Sequence, residues 1–460
     1  MGFFSIHNHS CFSNLRLKDS IIKVDSLINE AINLNLAGVC LTDHESVSGH
    51  VKMIKHFKKL KKEGKLPTDF KIGLGNEIYL VDRAEVSLKR ATNERIPFYH
   101  LILLAKDKIG HLALRELSSI AWKDSFHFKG LERVPTYKDD FKRIVEKYKG
   151  HLICSTACLG GEFAQLTLKY INEPTIENKK KIHEFICTMK ELFGNDFYIE
   201  IQPSYQEEQI KYNSMAIKIA DGYNIKYIVT TDSHYLKKSH AIFHKCYLQS
   251  KDGDRETDDF YASTYMMDEE ELNEYLKGYL TEEQIYKAIN NTIDIKDKIE
   301  DYDLAKETTI PKAKIQPFKV KGLFSLYYSK YKYLELYANS EHEIDRYYLS
   351  LIEEGFLKKK QEFNDENISR INLEMEELWE ISKNLKQQMS GYYVLTKDII
   401  DDMWKADSLV GISRGSSSGY YTCYLLDIVQ MNPIEHNLPH WRHLTKERIE
   451  LPDKNLCLAS

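Results

Sequence analysis

At 460 residues the chain exceeds one ordinary domain and divides naturally into two or three. Its charges nearly cancel, with a net of −5, so no global field demands nucleic acid as a partner and any DNA contact must rest on local basic patches. None of the eight cysteines forms a CxxC pair, no basic-then-apolar leader opens the sequence, and no apolar run nears the ~20 residues of a membrane span; a reducing, cytoplasmic setting away from any membrane is expected.

The first run, FFSIHNHS over 3–10, reads as a strand ending in His7 and His9. Side chains two apart on a strand share a side, so the pair is a potential chelate. Further strand-like runs are AGVCLTDH, FKIGLGNEIYL, FYHLILLA, HLICSTA, FYIEIQ and KYIVTTDSHY. Helical patterns fall between most of them, over 24–34, 49–62, 112–122, 141–148, 182–193 and 209–221. Repeated β-then-α units with about seven strands predict an α/β fold with a parallel sheet, closed into a barrel or, second, left as an open doubly wound sheet.

After Leu236 the pattern turns helical and charged, with helices expected over 269–275 and 282–299. An irregular passage over 302–323, with Pro311 and Pro317, marks a boundary. Helices resume over 326–337, 341–362 and 368–389, the last carrying Ile371, Met375, Leu378, Ile381 and Leu385 at helical spacing. From Gly391 a short Tyr-Tyr-Val-Leu-Thr run, a helix over 397–404, the turn GISRGSSSG over 411–419 and an apolar helix over 420–428 follow. A glycine- and serine-rich turn before a helix can cradle phosphate through its backbone N–H groups, although a flexible surface turn has the same composition.

Metal-capable residues recur at the ends of the strand-like runs: His7 and His9, Asp43 and His44, Glu77, His100, Cys158, Asp232 and His234. Each alone has a plain structural explanation, with Cys158 a small buried apolar group, His100 a core histidine and Asp43 a helix cap. Together they point to a polynuclear metal site, because the loops at one end of a barrel share a face. Mixed nitrogen, oxygen and sulfur ligands suit Zn²⁺, Mn²⁺ or Fe²⁺, and such clusters hydrolyse phosphoesters.

The stretches IHNHS, GVCLTDHESVSGH, IGLGNEIYL, HLILLAK, LICSTACLGGEF, FYIEIQ and VTTDSHYL, in this order, resemble the polymerase and histidinol phosphatase (PHP) domain, in the version that opens the bacterial and phage C-family DNA polymerase III alpha subunit. GYYVLTKDII, GISRGSSSG and LTKERIELPD extend the resemblance along the rest of the chain. It implies a distorted (βα)7 PHP barrel over 1–300, a helical connector over 301–390, and an incomplete nucleotidyltransferase-like palm over 391–460. It also implies up to three ions held by His7, His9, Asp19, His44, Glu77, His100, Cys158, Asp232 and His234. Asp19 takes a place that ungapped counting would give to Arg16. Asp43 is expected behind His44, orienting it. The activity implied is a metal-dependent 3′–5′ exonuclease.

In the palm, the resemblance assigns Arg414, Gly415 and Ser416 to the nucleotide triphosphate and Asp453 to a catalytic Mg²⁺. The loop departs from the family at Ile412 and Ser413, and Asn455 stands where a second aspartate is expected. A two-metal transfer needs both ions clamped, so the chain alone is not expected to polymerise DNA. A truncated or split gene, or an intein opening at Cys457, would account for this ending. Implied partners are a DNA primer-template 3′ end and, with the palm completed, dNTP, the remaining polymerase polypeptide, a sliding clamp and replisome proteins. The alternatives are a free-standing phosphatase of small phosphate monoesters and a metal-stabilised structural module.

Overall fold

The computed structural model describes residues 2–15, 18–250, 260–304, 309–412 and 415–447. They belong to two compact units, Met1–Ala305 and Lys306–Ser460.

The first unit is built on seven strands hydrogen-bonded in chain order: β1 (Phe4–Ser5), β2 (Gly38–Leu41), β3 (Lys71–Val81), β4 (Tyr99–Ala105), β5 (Leu152–Ser155), β6 (Phe197–Ile201) and β7 (Lys226–Val229). Every run read as a strand contains one. The edge strands meet at one rim, where Asn8 and Ser233 form a parallel bridge, so the sheet curls almost into a barrel. The helix Glu282–Lys298 packs on both β7 and β1 and covers the remaining gap.

One strand departs from the parallel expectation. β4 runs antiparallel to both β3 and β5, while the other neighbours pair parallel. A parallel crossover needs a helix that lays an apolar stripe on the sheet. The helix between β3 and β4, Arg83–Ala91, buries only Val86 and does not cross the face. The reversal matters for the site, because it brings the start of β4, with His100 opposite Tyr79, to the rim where the other strands end. A small hairpin, Phe126–Phe128 with Leu131–Arg133, and a two-residue strand, Thr136–Tyr137, were not legible as strands. They are short and lack the Asn-Gly turn signal.

Alternation sorts the strands. Val39, Leu41, Leu101, Leu103, Cys154, Ile199 and Val229 face the helices, whereas Phe4, Cys40, Ile102, Leu104, Ile153, Tyr198 and Ile228 fill the interior. Above this apolar floor lies a polar layer in which Ser155 and Thr230 donate to the buried Glu200 carboxylate. The metal-capable residues stand above that layer.

Among the described residues, all elements of the second unit are helical. The helices Glu343–Lys358, Asp365–Leu385 and Met389–Lys405 enclose Tyr348, Ile352, Ile371, Met375, Leu378 and Tyr393. The Tyr-Tyr-Val-Leu-Thr run lies in the first half of the helix Met389–Lys405, which extends the helix expected over 397–404 toward the N-terminus. Its β-branched and aromatic residues pack into the helical core, and tertiary burial overrides their strand propensity. Glu374, fully buried, accepts from the amides of Tyr421 (2.7 Å) and Thr422 (2.8 Å) and from Arg370 Nε (2.7 Å). Gly355 lies against the carbonyl of Leu425 so closely that a Cβ there would sit 2.0 Å from the oxygen.

Candidate metal centre

Beyond Ser5 the chain leaves strand geometry and crosses the rim through His7 and His9, pinned by the residue between them. The Asn8 amide donates to Thr42 Oγ1 (3.0 Å), its carbonyl accepts from the Thr42 amide (2.9 Å), and its side-chain amide donates to the carbonyls of Ser5 and Cys40. The two imidazoles consequently meet with Nε2 atoms 3.0 Å apart.

Carboxylates close on these nitrogens from β3 and from the segment after β7. Glu77 Oε2 lies 3.2 Å from His7 Nε2, 3.0 Å from His9 Nε2 and 3.0 Å from His44 Nδ1. Asp232 Oδ1 lies 3.2 Å and 3.0 Å from the same His7 and His9 nitrogens. The other Glu77 oxygen is 2.5 Å from His100 Nδ1, which in turn lies 3.4 Å from Cys158 Sγ. Asp19 Oδ2 sits 2.6 Å from His44 Nε2 and 3.3 Å from His234 Nε2.

The structure thus gathers all nine named residues at one rim. Eight fall into three sets whose donor atoms lie within 4.8 Å of one another: His9, His44, His234; His7, His9, Glu77, Asp232; and Glu77, His100, Cys158. Asp19 adjoins the first set through His44 and His234. Arg16 lies outside the described residues.

The donor set fits borderline divalent ions. His44 Nδ1, Glu77 Oε1 and Asp232 Oδ1 are buried and make no hydrogen bond, although each has a neighbour within about 3 Å. Their contacts are close without donor geometry, the arrangement of lone pairs that face a shared centre.

Electrostatics give the same reading. Burial pulls the His9 imidazolium down, but Asp232 and Glu77 overcome it and hold His9 up to about 9. His7 likewise rises well above the ordinary histidine range: burial opposes, while Asp232, Glu200 and Glu77 raise it. Burial pushes the carboxyls of Glu77 and Asp19 up, yet the histidines around them win and hold both far below the carboxylate range. Burial and the charges of Asp232 and Glu77 push the Cys158 thiol up. Without a cation, protons on His7 and His9 offset the charge of the buried carboxylates, and a bound metal would replace those protons.

Three rim residues hold the left-handed backbone region without being glycine: Asp232 (φ +46°), Ala157 before Cys158 (φ +58°) and Glu45 after His44 (φ +47°). Such residues cost about 1–3 kcal/mol each and persist where the surroundings over-determine them. The Glu45 carboxylate accepts from the Tyr79 amide (2.5 Å) and Thr136 Oγ1 (2.9 Å), and its carbonyl from Trp122 Nε1 (2.6 Å).

Asp43 accepts from the Ser10 amide (2.6 Å) and from Ser13 Oγ (2.7 Å), and that hydroxyl lies 3.2 Å from His9 Nδ1 and 3.2 Å from the His44 amide. Asp43 therefore reaches His44 only through Ser13, and it steadies His9 equally. Sequence reasoning passed over Ser13, over Tyr261, whose hydroxyl donates to Asp19 Oδ1 (2.9 Å), and over Glu200. Glu200 Oε1 stands 2.7 Å from His7 Nδ1 and accepts from Gln202 Nε2 (3.1 Å). Its signal was a lone carboxylate at an interior position of FYIEIQ.

In the second unit Gly415 has φ +78° and Ser416 Oγ lies 3.1 Å from His443 Nδ1. The amides of Tyr421 and Thr422, which a phosphate at this helix start would use, are already taken by Glu374. Arg414, Asp453 and Asn455 lie outside the described residues.

Residues 5–204, which carry the curled sheet from β1 through β6, match the family described as PHP domain. Asp232 and His234 lie beyond that match and enter the cluster through the fold. Residues 336–457 match the family described as Bacterial DNA polymerase III alpha NTPase domain. The chain is 43% identical over 465 residues to "Probable DNA polymerase YorL" of Bacillus subtilis (strain 168), covering 97% of this chain and 36% of that protein. The same identity and coverage hold for the "DNA-directed DNA polymerase" of Bacillus phage SPbeta. The "DNA polymerase III subunit alpha" of Aquifex aeolicus (strain VF5) is 29% identical over 98% of this chain and 36% of its own length. Residues 5–204 and 336–457 thus match a PHP domain and a DNA polymerase III alpha domain in turn, and the chain spans about a third of the length of the curated relatives it matches.

Proposed function

We propose that the chain is the N-terminal region of a replicative DNA polymerase III alpha-type subunit whose PHP site is a metal-dependent 3′–5′ exonuclease. The observation that carries this reading is the convergence of nine ligand-capable side chains in one buried rim, with three donor sets sharing Glu77 and His9. Zn²⁺, Mn²⁺ or Fe²⁺ ions bound there would activate water and offset charge on a phosphoryl group.

The chain's own residues prepare that chemistry. Glu200 accepts a hydrogen bond from His7 Nδ1–H, so His7 Nε2 keeps its lone pair toward the cluster. Asp43 and Ser13 fix His9. His100 is the one ligand of its set with an appreciably open side chain, 26% exposed, so a phosphodiester enters beside it. A DNA 3′ end is the substrate proposed for this site. DNA primer-template and dNTP would engage the polymerase III alpha-type segment, with Mg²⁺, through Arg414 to Ser416 and Asp453. Among the described residues no helix is long and apolar enough to cross a membrane.

The test is release of nucleotides from a 3′-labelled single strand by metal-loaded protein, compared with His9→Ala and Asp232→Asn. Turnover lost in both variants supports the exonuclease. A wild type that holds metal without cutting DNA supports a structural metal module. The polymerase-type match over 336–457 argues against a free-standing small-molecule phosphatase, which has no need of it.

A further inference from the structure

A cavity of about 230 Å³ opens beside the metal rim and shares two of its walls, His100 and Tyr79. Its other walls come from two separate segments, the loop before β4 with Arg95 and Phe98, and the small hairpin with Phe128, Lys129 and Arg133. No carboxylate lines it. Arg95 and Lys129 are both exposed, and Glu94, whose carboxyl is held down by Lys89 first and also by Lys129, is paired with Lys89. The aromatic walls are half-buried, with the Arg133 guanidinium 5.7 Å from the centre of the Phe98 ring and Lys129 Nζ 5.6 Å from that of Phe128.

The hairpin turn adds an independent observation. Lys129 (φ +51°) and Gly130 (φ +76°) both occupy the left-handed region, as a two-residue type I′ turn requires. Asparagine, aspartate or glycine suits the first of these positions, and lysine does not. The turn places the Lys129 side chain at the cavity lining.

Resting on the nuclease reading above, we propose that this cavity seats the 3′-terminal nucleotide of a single DNA strand. Arg95, Lys129 and Arg133 surround its sugar and its single 5′ phosphate, and the rings of Phe98 and Phe128 flank the base, as in sites that bind single strands without reading sequence. A volume of about 230 Å³ excludes a duplex. His100 is the shared wall, so the linkage on the 5′ side of the seated nucleotide lies toward Glu77, His100 and Cys158.

The test is equilibrium binding of a 5′-labelled oligothymidylate, its 3′-terminal linkages phosphorothioate, to metal-loaded wild type and to the double variant Arg95→Ala/Lys129→Ala. Both positions are exposed, so the fold should survive, and metal content is measured alongside. The expected results are an affinity at least tenfold weaker, a salt slope shallower by about 0.7 for one lost phosphate contact, and displacement of the oligomer from wild type by thymidine 5′-monophosphate. Affinity and slope equal to wild type overturn the proposal, as does failure of the mononucleotide to compete. A wild type that binds through Arg95 and Lys129 yet cuts nothing overturns the exonuclease and leaves the cavity assignment standing.

Discussion

The most informative single change is Glu200→Gln. Glu200 is fully buried on β6 and touches no predicted ligand except His7, whose Nδ1 lies 2.7 Å from its Oε1. The substitution preserves shape, with the amide oxygen able to accept from Thr230 and the amide nitrogen to donate to a reversed Ser155 hydroxyl, but it removes the charge that fixes the His7 tautomer and strengthens His7 as a donor. Loss of a carboxylate behind a metal-ligating histidine costs about 10–100-fold in metal affinity or activity, or about 1.4–2.8 kcal/mol. We expect Zn²⁺ affinity, measured by competition with a chromophoric chelator, to fall within that range. The far-UV circular dichroism of the metal-free variant should be unchanged. An affinity within threefold of wild type, with the fold intact, would refute the argument that Glu200 acts through His7.

Metal binding should release protons near neutral pH, because the metal-free His9 is held up to about 9; affinity should rise with pH toward that value, and calorimetry in buffers of different ionisation enthalpy that finds no proton release would count against the assigned ligands. Away from the site, His50 Nδ1 and His111 Nε2 lie 2.9 Å apart in the core. Burial, and for His50 the neighbouring His111, lowers them to about 3 and about 4. Both bind protons more readily unfolded, so their contribution is complete above the unfolded value of about 6.5 and is lost as pH falls toward 4, at up to about 1.4 kcal/mol per pH unit each. His111→Gln should flatten that part of a denaturant-midpoint profile, and an unchanged slope would refute it. Gly355→Ala should destabilise the second unit by about 1–3 kcal/mol, because its Cβ would meet the Leu425 carbonyl at 2.0 Å; an unaltered melting transition would show that the two helices can part freely.

The legible part of this protein was periodic or compositional. Every strand-like run contains a strand because alternating β-branched and apolar residues leave a local trace, and the stripe from Ile371 to Ile381 is buried because helical spacing does the same. The direction of β4 was not legible, since an alternation of strands and helices is silent on whether a connecting helix crosses the sheet. Glu200 was missed because one carboxylate in FYIEIQ looks the same facing solvent or facing His7. Asp43 is seen to act through Ser13, a link made by a hydroxyl that no spacing rule selects.

By itself the sequence determined which residue types were on offer: histidines, carboxylates and a thiol near the ends of successive apolar runs, because chemistry and local periodicity are written residue by residue. Only the tertiary structure decided that they meet. His7 and Asp232 stand 3.2 Å apart because the sheet curls until its two edges touch at Asn8 and Ser233. His100 joins Glu77 because β4 is reversed. Curvature and strand direction are set by packing over the whole barrel, and no local stretch of sequence contains them.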